Sequence, residues 1–202
     1  GRFLAPNSIV GCGIEMAPEA EWSGVKAKYE LPDEYVLYLG RVSKAKVDKL
    51  LPYFLRCKAK YGGDAKLVLV GGFENEIRKF DSPDILFTGY VSDEEKTAIV
   101  RHATVMVNPS PMESLSLLML EGMQSRIPLL VNGRSKVMKD HCRLSGAGLW
   151  YNNGRDFRKK LHRLLSDPEL RRTMSEKGPA YVREHYDWEI IIPKLRTLIE
   201  SI

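Results

Sequence analysis

Six short apolar runs alternate with helix-like segments along most of the chain. The runs are rich in Val, Ile and Leu and cover residues 35–40, 66–72, 84–90, 104–110, 127–132 and 146–152. Because both faces of each run are apolar, they predict parallel strands that helices cover on both sides. The segments 153–165, 168–186 and 188–202 predict further helices. The pattern therefore predicts a Rossmann-like α/β domain of three layers with a helical C-terminal tail.

Local signals set some helix boundaries. Ser92 followed by Glu95 forms a capping box and predicts a helix that runs to about His102. Apolar positions from Val47 to Cys57 recur at helical spacing, and Pro52 predicts either a kink or a late start in that helix. The polar segment Glu74–Phe80 is also predicted to be helical.

The chain divides into three predicted parts. Residues 1–33 contain several Gly and Pro and predict a linker that leads into the domain, with one short strand at Ile9–Ile14. Residues 34–186 form the predicted Rossmann-like domain, and residues 187–202 form the predicted C-terminal helix. That helix carries an apolar stripe, which packs on the domain's own sheet or on another surface. The stripe consists of Ile191, Leu195, Leu198 and Ile202.

Composition narrows the classes of partner. The chain has 31 Lys and Arg against 26 Asp and Glu, a formal charge of +5. This excess suits a phosphate-bearing ligand or an anionic membrane surface and is too small to indicate nucleic acid. With 44% hydrophobic residues, wholesale disorder is excluded. No apolar window is long enough for a membrane span, the first residues do not resemble a signal peptide, and the three scattered cysteines exclude a disulfide framework.

Candidate binding residues follow the predicted strands, because folds of this class bind ligands beyond the carboxyl ends of their strands. Arg41 directly follows the first run, and Lys44 and Lys46 come next. A guanidinium and an ammonium together suit a diphosphate, although such residues are often only solvated. The pair Gly71 and Gly72 either lets backbone approach a ligand or forms a simple turn. Tyr90 and Val91 either flank a base or pack.

The segment 109–131 carries the densest signal. Seven residues separate Glu113 from Glu121. Two helix positions at that spacing do not share a face, so Glu113 is placed in the turn before the helix and Glu121 on it. The helix start offers free backbone N–H groups to an anion; it comprises Ser114, Leu115, Ser116 and Leu117. Alternatively, Glu113 is only a first-turn carboxylate that the helix dipole stabilises, and Glu121 reaches solvent or pairs with Arg126.

Five segments together resemble a known family. GRVSKAK, LVLVGG, ILFTGYVSDEE, PSPMESLSLLMLEGMQSRIPLLV and DPELRRTMSEKGPAYVREHYDWE are similar to the C-terminal half of the group 1 retaining glycosyltransferases, which have the GT-B fold. The resemblance extends from about Ile9 to Ile192. It implies one lobe of a two-lobed enzyme, the lobe that binds a nucleotide diphosphosugar.

The resemblance also implies roles for individual residues. Arg41 and Lys46 correspond to the pair that binds the diphosphate, and Glu113 to the carboxylate that meets the donor sugar; these three are the predicted catalytic residues. Glu121 corresponds to the carboxylate that binds ribose. The remaining predicted donor-binding positions are Ser114, Leu115, Ser116 and Leu117 around sugar and phosphate, Tyr90 and Val91 beside the base, and Gly71 and Gly72.

Three positions depart from the family's pattern. Val47 follows the lysine where the family usually has Gly, so a one-residue gap or a register that uses Lys44 is an alternative. The family's Glu-Gly-Phe-Gly stands here as residues 113–116, Glu-Ser-Leu-Ser, and Arg126 replaces a turn Gly. None of these changes removes a charge from the predicted site.

The sequence therefore predicts the donor-binding lobe of a retaining glycosyltransferase. It would transfer a hexosyl group from a UDP-sugar or GDP-sugar to a glycan, a lipid or a small molecule. No cofactor and no metal are expected, since the chain lacks Asp-x-Asp and its histidines lack metal-ligand spacing. The expected partner is an N-terminal acceptor-binding lobe or partner chain, to which the last helix crosses, in the cytoplasm or at the inner membrane face.

Two alternatives from other classes remain at this point. One is a module that binds a nucleotide or nucleotide sugar without catalysis. The other is a lobe that acts only together with a partner chain. An epimerase of the same architecture is disfavoured by the Glu-x7-Glu block.

Overall fold

The computed structural model describes residues 11–74 and 82–200. Its centre is a six-stranded parallel sheet with the strand order β3-β2-β1-β4-β5-β6. The strands are β1 (Tyr35–Leu39), β2 (Lys66–Val70), β3 (Ile85–Gly89), β4 (Val105–Asn108), β5 (Leu129–Asn132) and β6 (Gly148–Tyr151). Each lies inside one of the six predicted apolar runs, so the Rossmann-like prediction is confirmed. The order reverses between β1 and β4, and the side where all strands end is called the carboxyl edge below.

Helices cover both faces of the sheet. Within the described residues they are α1 (Trp22–Tyr29), α2 (Lys44–Val47), α3 (Leu50–Tyr61), α4 (Asp93–Arg101), α5 (Leu117–Gln124), α6 (Lys136–Ser145), α7 (Gly154–Ser166), α8 (Pro168–Tyr186) and α9 (Trp188–Glu200). α3 packs against α7 on one face and α5 against α8 on the other. None of these described helices combines the length and apolar content that a membrane crossing requires.

The core consists of two layers that the sheet separates. On β1, Val36 and Tyr38 point to the layer under α3 and α7, while Leu37 and Leu39 point to the layer under α4, α5 and α8. Successive strand residues face opposite sides, so a strand buried on both faces must be apolar throughout. This requirement explains why the runs show no alternation of polar and apolar residues.

Several boundaries follow from local chemistry. The capping box at α4 forms as predicted: the Glu95 N–H donates to Ser92 Oγ at 3.2 Å, and the Ser92 N–H donates to a Glu95 carboxylate oxygen at 2.9 Å. Pro52 lies in the first turn of α3, where a missing N–H costs no helical bond. The late start of this helix, one of the two predicted options, is therefore the one observed.

The region before β1 differs from the sequence prediction. It contains α1, which places Val25 in the hydrophobic core together with Leu31. α1 buries Val25 alone, so it lacks the apolar periodicity that reveals a helix. The predicted strand Ile9–Ile14 begins outside the described residues, and its described part, residues 11–14, is not a strand. The predicted helix at Glu74–Phe80 also lies outside the described residues apart from Glu74.

The apolar stripe of α9 is divided between core and surface. Ile191 is buried at 3% exposure, whereas Leu195 is 43% exposed. Ile14 donates its N–H to the carbonyl oxygen of Tyr186 at 2.9 Å, so the segment before α1 is bound to the end of α8. Ile202 lies outside the described residues. The described part of the stripe thus runs from the buried Ile191 through the exposed Leu195 to the half-buried Leu198.

Candidate functional site

A cleft of about 300 Å³ opens at the carboxyl edge between β1 and β4. This is the point where the strand order reverses, the usual ligand site of such sheets. Its lining residues are Tyr38, Leu39, Gly40, Arg41, Lys46, Asn108, Pro109, Ser110, Glu113, Ser116, Leu117 and Leu118. The fold thus brings together five of the predicted site residues, and we call this space the donor cleft after the ligand that the sequence predicts for it.

Arg41 and Lys46 are the cations of the donor cleft. Both are exposed, and neither forms an ion pair within residues 11–74 and 82–200. Lys46 lines the cleft from α2, whereas Lys44 at the start of α2 lies outside its lining. The structure therefore places Lys46, and not Lys44, beside Arg41. Two unpaired cations in one cleft suit an anionic ligand.

The loop that carries Arg41 is held in place by its neighbours. The buried Tyr38 hydroxyl donates to the carbonyl oxygen of Arg41 at 3.0 Å. The N–H of Val42 donates to the carbonyl oxygen of Gly72 at 2.9 Å. Burial, with a smaller contribution from the Glu113 charge, raises the pKa of Tyr38 to about 12. Tyr38 therefore remains a protonated donor and fixes the backbone that presents the Arg41 side chain.

The glycine pair after β2 has a steric explanation. Gly71 has φ +131, and a Cβ at this position would collide with the carbonyl oxygen of Gly40. A Cβ on Gly72 would collide with the ring of Tyr90. Gly71 thus needs glycine so that the chain can pack on itself, which favours the turn interpretation there, whereas at Gly72 the contact is with the outer end of an exposed side chain that can move aside.

Gly72 and Tyr90 also line an open pocket of about 530 Å³ next to the donor cleft. Arg41 belongs to both spaces, so the two are continuous. Tyr90 is 87% exposed at the rim, whereas Val91 packs against the core. Of the two predicted base-flanking residues, Tyr90 is therefore the one positioned to contact a ligand.

The start of α5 is strained and uncapped. Ser116, its N-cap residue, has φ +63, a conformation that non-glycine residues rarely adopt. Its hydroxyl accepts a hydrogen bond from Asn108 and does not cap the helix. The first N–H groups, those of Leu117 and Leu118, have no acceptor inside the helix and belong to residues that line the cleft. Strained residues of this kind concentrate at functional sites.

The two carboxylates lie in different surroundings. Glu113 is half-buried in the loop between β4 and α5 and lines the donor cleft. Glu121 lies on α5 outside that lining, where its Oε1 accepts from Lys96 of α4 at 3.3 Å. Its Oε2 is buried and has no hydrogen-bond partner among the described residues. The alternative pairing of Glu121 with Arg126 is therefore wrong, and one of its oxygens is closed to solvent and unpaired among the described residues.

The flanking residues of this block differ in position. Ser114 is exposed and Leu115 packs against the core, and both lie outside the lining of the donor cleft. Ser116 and Leu117 line it. The predicted segment thus contributes its second half to the cleft.

Sequence reasoning missed the asparagines that end β4 and β5. The Asn108 side chain accepts from the N–H of Ser110 at 3.0 Å, and Asn132 donates to the carbonyl oxygen of Pro109 at 2.9 Å. These bonds brace the loop before Glu113. The signal was present, since Asn closes both strands and readily forms such side-chain turns. Among the described residues, no group of three or more His, Cys, Asp or Glu could hold a metal ion.

Comparison with protein families gives one match over most of the chain. The model described as "Glycosyl transferases group 1" matches residues 24–181. Among curated proteins, an alpha-D-kanosaminyltransferase from Streptomyces kanamyceticus is 30% identical over 174 residues, which are 79% of this chain and 44% of that protein. The chain spans less than half of the length of the curated relatives that it matches.

Solved structures share the fold. The C-terminal domain of a glycosyl transferase group 1 family protein (LpcC) from Francisella tularensis matches with a TM-score of 0.68 at 20% identity, over 85% of this chain and 95% of that chain. Anabaena Alr3699/HepE, solved in complex with UDP and glucose, matches with a TM-score of 0.72 at 13% identity, over 89% of this chain and 52% of that chain. At these identities the likeness shows the fold alone.

Proposed function

The chain belongs to the group 1 glycosyltransferase family, and we propose that it is the lobe that binds a nucleotide diphosphosugar for retaining transfer of a hexosyl group. Residues 34–186 would form the donor-binding domain. Residues 187–202 would form the helix that reaches an N-terminal lobe or partner chain, which binds the acceptor. By itself this chain would bind the donor and transfer little or nothing. Its charge of +5 fits work at an anionic membrane face.

One observation carries this proposal: Arg41, Lys46 and Glu113 line a single cleft where the strand order reverses. Unpaired cations suit the diphosphate of a donor. A carboxylate accepts hydrogen bonds from sugar hydroxyls. A cleft that offers both kinds of group at one point fits the chemistry of a nucleotide diphosphosugar.

The same groups explain how the lobe would assist bond cleavage. When the bond between the hexosyl group and the diphosphate of the donor breaks, negative charge develops on the leaving diphosphate. Arg41, Lys46 and the free N–H groups at the start of α5 would stabilise this charge. Preorganised donors of this kind are typically worth about 3–4 kcal/mol each in the activation barrier. Glu113 would hold the hexosyl group in position beside them.

The nucleoside would extend along the carboxyl edge from β1 toward β3. The open pocket that includes Arg41, Gly72 and Tyr90 would receive the base. Glu121 would accept hydrogen bonds from the ribose hydroxyls after a rotation of its side chain, because its unpaired Oε2 is closed to solvent in this conformation. UDP, the nucleotide of the Alr3699/HepE complex, is the first candidate and GDP the second.

A matched pair of lysine variants tests the proposal. Lys46 and Lys44 lie two positions apart in α2, and only Lys46 lines the donor cleft. We expect Lys46→Ala to weaken the binding of UDP or GDP by about tenfold, since a charge-assisted bond is lost. Lys44→Ala should leave the affinity within about twofold, because Lys44 does not line the cleft and its exposed charge is screened by solvent and salt. Isothermal titration calorimetry with UDP and GDP gives both values.

Two results would contradict the proposal. One is that neither UDP nor GDP binds the wild-type chain. The other is that the two lysine variants bind the nucleotide equally well, because the donor cleft would then not be the diphosphate site.

A further inference from the structure

A second cleft of about 220 Å³ adjoins the donor cleft on the other side of β4. It lies at the carboxyl edge along β4, β5 and β6. Lys46 and Pro109 line both clefts, so their occupants would be neighbours. The other residues of this second cleft are Ala45, Asp48, Lys49, Tyr53, Pro111, Asn132, Arg134, Tyr151, Asn152 and Asn153.

The second cleft is cationic. Lys46, Lys49 and Arg134 line it against a single carboxylate, that of Asp48. All four side chains are exposed, and none forms an ion pair with another described residue. The backbone of Arg134 is held in place, since its main-chain N–H donates to Asn132 Oδ1 at 3.1 Å. Unpaired cations that converge on one concave space indicate an anionic occupant.

Tyr151 adds a hydroxyl to this cleft, although the residue as a whole is buried. Its side chain is 5% exposed, and its ring packs edge-on against Phe157 at 5.0 Å. Its hydroxyl has no hydrogen-bond partner in the described part of the chain. The hydroxyl is not sealed from solvent, because Glu121 Oε2 is the only side-chain polar atom among the described residues that is both sealed and unpaired. The Tyr151 hydroxyl is therefore accessible from the cleft. An accessible hydroxyl without a protein partner can donate to or accept from a ligand.

The amide groups extend this hydrogen-bonding capacity. Asn153 uses its Oδ1 to accept from the Asp156 N–H at 3.0 Å, which leaves its NH₂ group as a donor. Asn152 has no side-chain hydrogen bond to another described residue. Neutral donors and acceptors beside the cations would recognise hydroxyl groups as well as an anion.

From this combination we infer that the second cleft binds an anionic sugar, one that carries a phosphate or a carboxylate. Arg134, Lys49 and Lys46 would hold the anionic group. The Tyr151 hydroxyl and the amides would bind the ring hydroxyls. If the proposed function holds, this sugar would lie directly beside the donor's diphosphate, and the acceptor would still bind the N-terminal lobe or partner chain. The binding itself does not depend on the proposed function.

Calorimetry on the complete 202-residue chain tests the inference with glucose 6-phosphate, glucuronate and glucose, each with and without UDP. We expect at least one of the two anionic sugars to bind about tenfold or more tightly than glucose. Arg134→Gln should weaken that binding by about tenfold, and Tyr151→Phe by about threefold to fivefold. Both variants should keep the wild-type affinity for UDP, since neither residue lines the donor cleft.

Arg196→Gln on α9 is the matched control, because it removes the same charge from an exposed residue that lines neither cleft. Equal anionic-sugar affinity of Arg134→Gln and Arg196→Gln would overturn the inference. So would an anionic sugar no tighter than glucose, or inorganic phosphate that binds as tightly as glucose 6-phosphate. Arg134-dependent binding of an anionic sugar by a chain that does not bind UDP would support the second cleft while refuting the proposed function.

Discussion

The two edges of the sheet use basic residues in opposite ways. At the carboxyl edge, Arg41 and Lys46 are exposed and form no ion pair with another described residue. At the opposite edge, the ammonium of Lys58 donates to the carbonyl oxygens of Gly63 at 2.5 Å and Ala65 at 3.0 Å and pairs with Asp84 at 3.1 Å. The Lys58 side chain is 15% exposed.

This difference separates structural charges from charges that await a ligand. Lys58 ties the segment before β2 to that before β3, so its hydrogen bonds belong to the fold. The side chains of Arg41 and Lys46 form no such bonds with other described residues, and they lie beside a strained helix start at Ser116. Net charge and residue type do not distinguish Lys58 from Arg41 and Lys46, because the difference lies in their hydrogen-bond and ion-pair partners. We therefore expect mutations at the two edges to affect different measurements.

The largest effect is expected for Arg41→Ala. This variant should weaken UDP binding by about tenfold to a hundredfold, because a charge-assisted contact contributes about 1.5–3 kcal/mol. Its free energy of unfolding should stay within about 0.5 kcal/mol of wild type, since the side chain is exposed and unpaired. Calorimetry and urea denaturation provide the two values.

Lys58→Met is the reciprocal variant. It should leave UDP affinity within about twofold and lower the free energy of unfolding by about 1–3 kcal/mol, since two carbonyl oxygens and a carboxylate lose their partner. The comparison of the two edges fails if Arg41→Ala destabilises the fold as much as Lys58→Met does.

The next prediction assigns different parts of the ligand to the two carboxylates of the carboxyl edge. Glu121→Gln should weaken both UDP and UDP-glucose by about tenfold, since both ligands contain ribose. Glu113→Gln should spare UDP and weaken UDP-glucose by a similar factor, because only the sugar-bearing ligand reaches Glu113. Lys96 keeps Asp93 as an ion-pair partner at 3.2 Å when Glu121 is changed, which limits the structural damage.

Titration of each variant with both ligands measures this division. If both substitutions weakened both ligands to the same extent, the separate ribose and sugar roles would be refuted. A calorimetric control with uridine alone, which lacks the diphosphate, should show the Glu121 effect without any Glu113 effect.

The smallest effect tests whether partners or position determine the role of a charge. Glu95 lies at the carboxyl edge, yet it is paired: Lys28 donates to it at 2.6 Å and the Tyr29 hydroxyl at 2.8 Å. The Lys28 bond, followed by the bond from the Ser92 N–H, lowers the pKa of Glu95 from its ordinary value of 4.5 to about 2. The pairing therefore joins α1 to the start of α4.

A lowered folded-state pKa means that the unfolded chain binds the proton more readily. The stabilisation is therefore complete above pH 4.5 and is lost as the pH falls toward about 2. Glu95→Gln should cost about 1 kcal/mol at pH 7 and flatten the acid limb of stability against pH. Urea denaturation between pH 7 and pH 2 checks both. An unchanged acid limb, or a loss of UDP affinity, would show that position outweighs pairing.

The sequence by itself determined the elements and their ends. Apolar runs covered on both faces produced all six strands, and the Ser92–Glu95 box produced the start of α4. These features depend on residues a few positions apart, so the sequence alone is enough to predict them. Strand ends also placed Arg41 and Glu113 at one edge. α1 was missed, because Val25 is its one fully buried residue and its other contacts, such as those of Lys28 and Tyr29 with Glu95, are to a segment far along the chain.

The tertiary structure alone decided which of these ends meet. Pairing of β1 with β4 puts the Arg41 loop beside the Glu113 loop, and packing of α4 on α5 gives Glu121 the partner Lys96 in place of Arg126. The second cleft arises only because β4, β5 and β6 end side by side around Lys46. Strand neighbours are selected by the packing of two complete helical layers, and that energy is distributed over the whole chain, so no local pattern encodes it.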